Sequence, residues 1–292
     1  MADTKLDRSP RMGGLFARAG LATLPGASRL PFIGGGGGAL PDRTLVLTGI
    51  ATDRDRLTAY DRVCGFTLSD TLAPTYPHML AFPLQLALMT GGDFPFPVIG
   101  LVHIANRITQ QRAIGAGEVL SLRVWATGAE PHPRGTQFAL RTEVRAGEEL
   151  VWEEESVNLR RGRGHEEAEG PSIAPPEVGD LPATATWRLP GDLGRRYGAV
   201  SGDLNPIHVH PLSARLFGFP SAIAHGMWTK ARSLAAMSTE LPDAFTVSVA
   251  FKRPILLPAT VEFAERRTGN EIRFGVRDAT GGTPHLDGAV SL

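Results

Sequence analysis

Asp203 and His208 stand five positions apart in the run Tyr197-Gly198-Ala199-Val200-Ser201-Gly202-Asp203-Leu204-Asn205-Pro206-Ile207-His208. A carboxylate and an imidazole held together are the least equipment that can take a proton from water and return it. In one continuous helix, positions five apart do not share a face. The residues between them supply a break. Gly202 can take backbone angles closed to other residues, Asn205 is a favoured helix N-cap, and Pro206 is favoured at the first helical position. The sequence therefore predicts Asp203 in a turn and His208 in the first turn of a short helix. Pro211 interrupts that helix and begins a second turn running to Phe217, with Gly218 as its stop.

Downstream, Pro220-Ser221 precedes a stretch in which Ile223, Met227, Ala231, Leu234 and Ala235 recur at helical spacing. This reads as a long helix from Ala222 to Met237, packing one apolar face onto a sheet. His225 and Gly226 fall near its beginning, where backbone N–H groups lack intrahelical partners and the dipole favours negative charge. A donor there would stabilise a carbonyl that becomes enolate-like, and removing one such donor costs on the order of 3 kcal/mol. Gly226 also fits a close helix–sheet contact. His225 reads as structural, orienting the helix start.

Tyr197, Ser201-Gly202-Asp203, Asn205-Pro206-Ile207-His208, Ala214, Phe219-Pro220 and Ala224-His225-Gly226-Met227 together resemble the signature of the MaoC-like family. These are (R)-specific enoyl-CoA hydratases and 3-hydroxyacyl-thioester dehydratases. The resemblance implies Asp203 and His208 as the catalytic pair and the Gly226 N–H as the oxyanion donor to a thioester. Ser201, Asn205 and His225 would support them. The implied reaction adds water at C3 and a proton at C2 of a trans-2-enoyl thioester, or reverses this as a dehydration in fatty-acid metabolism. Which of the pair is the formal base stays open. No metal and no separate cofactor are expected, because acyl-CoA or acyl carrier protein thioester is itself the substrate.

Lys252 and Arg253 could face the phosphates of that carrier, as could Arg107 and Arg112 in the first half; solvated strand-end charge is the other reading of each. Met227 and Trp228 fit either an acyl pocket or the core. His210 stands where many relatives carry an acidic capping residue. Histidine caps poorly, which predicts a weakened cap and unchanged chemistry. Two other functions fit the same frame. One is an acyl-thioester hydrolase, with a carboxylate-activated water attacking the carbonyl; the other is a subunit of a heteromeric dehydratase.

The elements needed to hold this site repeat. An apolar helix, His78 to Met89, precedes strand-like runs at Val98–Ile108, Val119–Thr127, Gln137–Val144 and Leu150–Leu159. The helix from Ala222 precedes runs at Phe245–Phe251, Ala259–Arg266, Glu271–Arg277 and Pro284–Ser291. Alternation such as Leu120-Leu122-Val124 marks strands with one buried face. Helix then antiparallel meander, twice, predicts a duplicated α+β unit. The family resemblance names it a double hotdog, in which a long helix is wrapped by a curved antiparallel sheet.

Residues 1–42, with the run Gly34 to Gly38, read as a flexible segment. The run lacks the Gly-Lys-Ser/Thr that would make it a phosphate loop. Residues 43–160 read as an N-terminal hotdog, 161–183 as a Pro- and Glu-rich linker, and 184–292 as the catalytic hotdog. The first half is a degenerate copy. Asp70 and His78 are eight residues apart, with prolines between, and do not reproduce the pair.

The chain has 292 residues, with 30 basic and 30 acidic side chains, giving zero formal charge. That balance removes the global electrostatic case for nucleic acid or an anionic membrane. Cys64 is the single cysteine and reads as core. The most apolar stretch, Met79 to Met89, is too short to span a bilayer, and no secretory signal is evident. The expected location is cytoplasmic. A homodimer or a hotdog partner subunit fits the same framework.

Overall fold

A computed structural model describes residues 2–21 and 38–292. In chain order the elements of the first half are β1 (Ala2–Leu6), α1 (Met12–Leu21), β2 (Arg43–Ile50), α2 (Arg54–Cys64), α3 (Tyr76–Met89), β3 (Leu101–Gln110), β4 (Leu120–His132), β5 (Gly135–Ala146) and β6 (Glu149–Arg161). The second half supplies β7 (Ala185–Leu189), α4 (Leu193–Ser201), α5 (Pro206–Val209), α6 (Pro211–Leu216), α7 (Gly226–Ala236), β8 (Phe245–Phe251), β9 (Ala259–Thr268), β10 (Glu271–Asp278) and β11 (Pro284–Ser291).

Contacts divide the chain into two compact units that interleave along the sequence. The first is drawn from Met1–Ala51, His78–Ile104 and Glu118–Ser172; the second from Thr52–Pro77, Ala105–Gly117 and Ile173–Leu292. The sequential halves read from the pattern therefore trade segments. Residues 52–77 and 105–117 precede the linker yet belong to the unit that carries the acid–base motif.

In the first unit β2, β4, β5 and β6 pair antiparallel in that order. Along β4 the side chains of Leu120, Leu122, Val124 and Ala126 are buried while Ser121, Arg123 and Trp125 are partly exposed. That is the period-two pattern of a sheet with one covered face. On α3, Met79, Ala81, Leu84, Leu86 and Leu88 are almost wholly buried, so this helix is apolar on nearly every side. Two of its polar side chains, His78 and Gln85, reach one buried carboxylate. His78 Nδ1 lies 2.7 Å from Glu154 Oε1, and Gln85 donates to Glu154 Oε2 at 2.9 Å and to Thr142 Oγ1 at 3.1 Å.

The flexible reading of 1–42 is corrected where that segment is described. Ala2–Leu6 pairs parallel with β2, fastened by the Arg123–Asp3 ion pair, and Met12–Leu21 is helical. β1 is almost entirely exposed, so no apolar alternation announced it. Gly34 to Gly37 lie outside the described residues.

In the second unit Ala105–Gln110 of β3 pairs with β8, and the antiparallel order continues through β11, β10, β9 and β7. α7 lies against β10 and β11. It buries Met227, Trp228, Thr229, Lys230, Ala231, Ser233, Leu234 and Ala235. Lys230 sits in mid-helix with no exposed surface. Its ammonium donates to the side chain and backbone carbonyl of Asn106 and to the carbonyl of Val247. Such a charge is tolerated inside only when its hydrogens are taken up. α2 joins this unit through Trp228, whose indole N–H donates to the Val63 carbonyl at 2.9 Å.

Each unit sets a helix against an antiparallel meander, α3 in the first and α7 in the second. The fold is α+β, a double hotdog. Among the described residues no helix is long and apolar enough to cross a membrane.

Candidate active site

The site begins where α4 ends. Gly202 closes that helix at φ 83°, its N–H donating to Gly198 O at 2.9 Å, and turns the chain toward Asp203. Three side chains then take successive backbone donors. Asp203 N–H donates to Ser201 Oγ at 3.1 Å, Asn205 N–H to Asp203 Oδ1 at 3.1 Å, and Ile207 N–H to Asn205 Oδ1 at 3.4 Å. Asn205 is the N-cap of α5 and Pro206 its first residue, as the sequence predicts. From α2, Arg56 donates to the carbonyls of Val200 at 2.9 Å and Ser201 at 3.4 Å, occupying the open end of α4 just before Asp203.

α4 can lie this close because its facing positions are glycines. A Cβ on Gly194 would stand 1.9 Å from the His208 carbonyl oxygen, and one on Gly198 2.9 Å from that of Asp203. Their four-residue spacing sets both on one face of the helix.

His208 is tied down by Ile223, whose carbonyl lies 2.8 Å from Nδ1. A carbonyl only accepts, so Nδ1 carries the hydrogen and Nε2 keeps a lone pair in the neutral ring. Burial lowers the His208 pKa, and the Asp203 charge opposes that shift. The His225 ring stacks on His208, with centroids 3.7 Å apart and planes 24° from parallel. Its Nε2 lies 3.0 Å from the Asp203 carbonyl oxygen and 3.7 Å from Asp203 Oδ2. Burial, then the neighbouring His208, pushes the His225 pKa down to about 3. The Tyr197 ring on α4 lies 4.9 Å from that of His225, tilted by 54°.

One ligand-type atom from each of Asp203, His208 and His225 falls within 4.8 Å of the others. Proximity alone does not make them a metal site. Two of the ring nitrogens, His208 Nδ1 and His225 Nε2, are already committed to main-chain carbonyls, which leaves one lone pair on each ring. The set suits proton transfer.

α7 begins at Gly226, not at Ala222 as the apolar spacing predicts. Residues 222–224 pair with a neighbouring chain segment instead: Leu257 N–H donates to Ala222 O at 2.8 Å and Ala224 N–H to Ile255 O at 2.9 Å. Ile223 N–H donates to Ile207 O at 3.0 Å. This correction matters for chemistry. At the first helical position the Gly226 N–H has no intrahelical acceptor, whereas four residues further in it would have been bonded. A Cβ on Gly226 would meet the Phe251 ring at 2.9 Å, so the close-contact reading of this glycine holds as well.

A family model described as the MaoC like domain matches residues 180–289. The 3-hydroxyacyl-thioester dehydratase X of Mycobacterium tuberculosis is 38% identical over 252 residues, covering 86% of this chain and 90% of that protein. The chain belongs to the MaoC-like dehydratases. A crystal structure of HtdX from the same organism superimposes with a TM-score of 0.76 at 35% identity, covering 86% of this chain and all of that one (100%). A second mycobacterial structure, described as having a double hotdog fold, gives a TM-score of 0.55 over 88% of this chain and 98% of its own, at 12% identity. It bears on the fold alone.

The remaining expected positions of this MaoC-like chain sort unevenly. His210 is a working cap, contrary to expectation: its Nδ1 accepts from Leu212 N–H at 3.1 Å and starts α6. Lys252 lies 3.2 Å from Glu177 Oε1 and 3.3 Å from Asp287 Oδ2, an ammonium already neutralised by two carboxylates. Arg253 is exposed, with its carbonyl accepting from His285. Arg107 donates to Ser248 Oγ at 2.9 Å, and Arg112 to the Ala113 carbonyl at 2.9 Å. Met227 and Trp228 are buried at 6% and 4% exposure, in the core. Asp70 pairs with Arg54, while His78 is engaged by Glu154. Arg56, Tyr197 as a ring neighbour, and the Ile223 carbonyl are the site-building groups that pattern reading does not find.

Proposed function

We propose that the chain is a hydro-lyase acting on acyl thioesters. It adds water syn to trans-2-enoyl thioesters and, in reverse, dehydrates (R)-3-hydroxyacyl thioesters. The observation that carries this reading is the single fixed tautomer of His208, whose Nδ1–H is committed to the Ile223 carbonyl so that Nε2 keeps the lone pair, in a cluster where a ring nitrogen of His208 and a carboxylate oxygen of Asp203 lie within 4.8 Å. The name borne by the mycobacterial relative supports it.

Water is held between the two groups. As its oxygen bonds to C3, His208 Nε2 takes one proton and Asp203 accepts the remaining O–H. The C2–C3 π electrons move toward the thioester oxygen, where the Gly226 N–H at the start of α7 receives the developing charge. The proton taken from water then passes to C2, so both additions come from one face. Acid–base help of this kind contributes roughly two to four orders of magnitude. The chemistry calls for no metal, flavin or nicotinamide. The acyl carrier is coenzyme A or acyl carrier protein, and Arg253 is the better placed of the two strand-end cations for its phosphates, because Lys252 is already paired.

The test is loss of the enoyl-thioester absorbance with crotonyl-CoA and a longer trans-2-enoyl-CoA, for wild type and Asp203→Asn, with free thiol measured in the same samples. Hydration by wild type that is lost in folded Asp203→Asn, with no thiol released, is the expected result. Thiol release in place of hydration would move the assignment to a thioesterase. Hydration that appears only after adding a second hotdog subunit would make the chain one half of a heteromer.

A further inference from the structure

We infer that His225 is a positioning residue for the proposed reaction, a neutral ring that fixes the plane of His208 and the main chain of Asp203 at once. The inference rests on the reaction proposed above, and it assigns a task to a side chain that need not touch substrate.

Three features of His225 do not suit a residue that merely fills space. The ring is 3% exposed, and its Nδ1 has no hydrogen-bond partner among the described residues. A buried lone pair left bare is unfavourable, so an ordinary core position would favour an apolar ring. Its other nitrogen is committed. Nε2–H donates to the Asp203 carbonyl, which forces the bare lone pair onto Nδ1. Finally, the ring lies flat on the proposed base.

Together these define one electrical state. A second proton on His225 would place two positive rings 3.7 Å apart in a buried site, so His225 stays neutral while His208 cycles. When His208 holds the transferred proton, the ring beside it presents a π face and not a charge, and such a face attracts a cation. Among the described residues, the other titratable groups facing the pair are Asp203, from the turn between α4 and α5, and Tyr197 on α4. The hydrogen bond to the Asp203 carbonyl also fixes the main chain that presents the carboxylate. A rotation of that peptide would carry the carboxylate away from His208.

Two variants separate the parts. His225→Phe keeps a stacked ring and loses the donor; His225→Gln keeps an N–H donor and loses the ring. With both shown folded by thermal unfolding, imidazole NMR titration of His208 is followed beside hydration of crotonyl-CoA. In His225→Phe we expect kcat to fall at least tenfold with KM little changed and the His208 midpoint kept low. In His225→Gln the midpoint should rise, because the ring that shields His208 from water is gone, and the acid limb of the rate profile should rise with it.

Wild-type kcat and an unmoved midpoint in both variants would overturn the inference. So would a wild-type His225 that titrates near neutral pH, a measurement that needs no variant. If wild type hydrates no enoyl thioester, the reaction assignment fails, while the NMR titration still decides whether His225 controls His208.

Discussion

His208 and Ile223 bind each other's segments in both directions. The imidazole Nδ1–H donates to the Ile223 carbonyl at 2.8 Å, and the Ile223 N–H donates to the carbonyl of Ile207, one residue before the histidine. This doubled link aims Nε2. It predicts that His208→Asn, whose amide reaches roughly where Nδ1 lies, keeps the bond to Ile223 and stays folded. Its hydration rate should fall by about two to four orders of magnitude because the proposed imidazole base is gone. Steady-state kinetics beside a melting curve decide it: a variant that melts normally yet keeps more than a tenth of the rate would remove His208 from the chemistry.

Gly226 joins the proposed N–H donor to a close contact with Phe251, and substitution can pull the two apart. Alanine retains the N–H but drives a methyl group into the Phe251 ring. Overpacking of this kind costs about 1–3 kcal/mol. Gly226→Ala should therefore lose both stability and activity. Gly226→Ala combined with Phe251→Leu should regain much of each, since the donor is intact. If stability returns and activity does not, the glycine matters at the site for more than its lack of a side chain.

Arg56 supports the turn from 144 residues away in sequence. Arg56→Ala removes two donors from the end of α4 and should destabilise the protein by about 1–3 kcal/mol, as loss of hydrogen bonds from a charged group does. The larger expectation is kinetic. With the last turn of α4 released, Asp203 is less well placed and kcat should drop about tenfold, read from initial rates. An unchanged kcat in a destabilised variant would make Arg56 a stability residue only.

Asp61 predicts a pH-dependent gain. The side chain is buried, Oδ1 has no partner among the described residues, and burial pushes its pKa up to about 6. A carboxyl whose pKa is raised on folding destabilises the folded state once ionised. The penalty is full above about pH 6, shrinks as pH falls, and vanishes near the unfolded value of about 4. Asp61→Asn should thus raise stability at pH 7.5 by on the order of 1–2 kcal/mol after solvent screening, with the gain fading by about pH 4. Urea unfolding at the two pH values checks the sign. A gain that is equal at both would refute the ionisation argument.

How much of this could be read from the chain depends on the range of the forces involved. The strands of both meanders were legible because alternation is written locally, as in Leu120, Leu122 and Val124. The turn that carries Asp203 was legible for the same reason: Gly202, Asn205 and Pro206 each act within two or three residues. The start of α7 was misread because Ile223 continues a helical spacing while its backbone bonds to Ile207, a distant partner that no periodicity encodes. α2 and α4 escaped notice for different reasons. α2 is rich in charge, and α4 is broken on paper by Gly194 and Gly198, the two residues that let it approach the site. Cap strength at His210 was misjudged because a residue-type average ignores a neutral Nδ1 aimed at Leu212 N–H.

Asn106 and Arg56 come from the sequence before the linker, yet one receives the buried Lys230 ammonium and the other closes α4. The repeat visible in the chain is therefore not a seam along which it can be cut. A gene fragment beginning at the linker would encode the whole acid–base motif. It would still leave a lysine in mid-core without the Asn106 acceptors and the Asp203 turn without its guanidinium brace. The stretch after the linker depends on residues before it, so the linker is no boundary of the unit that holds Asp203 and His208.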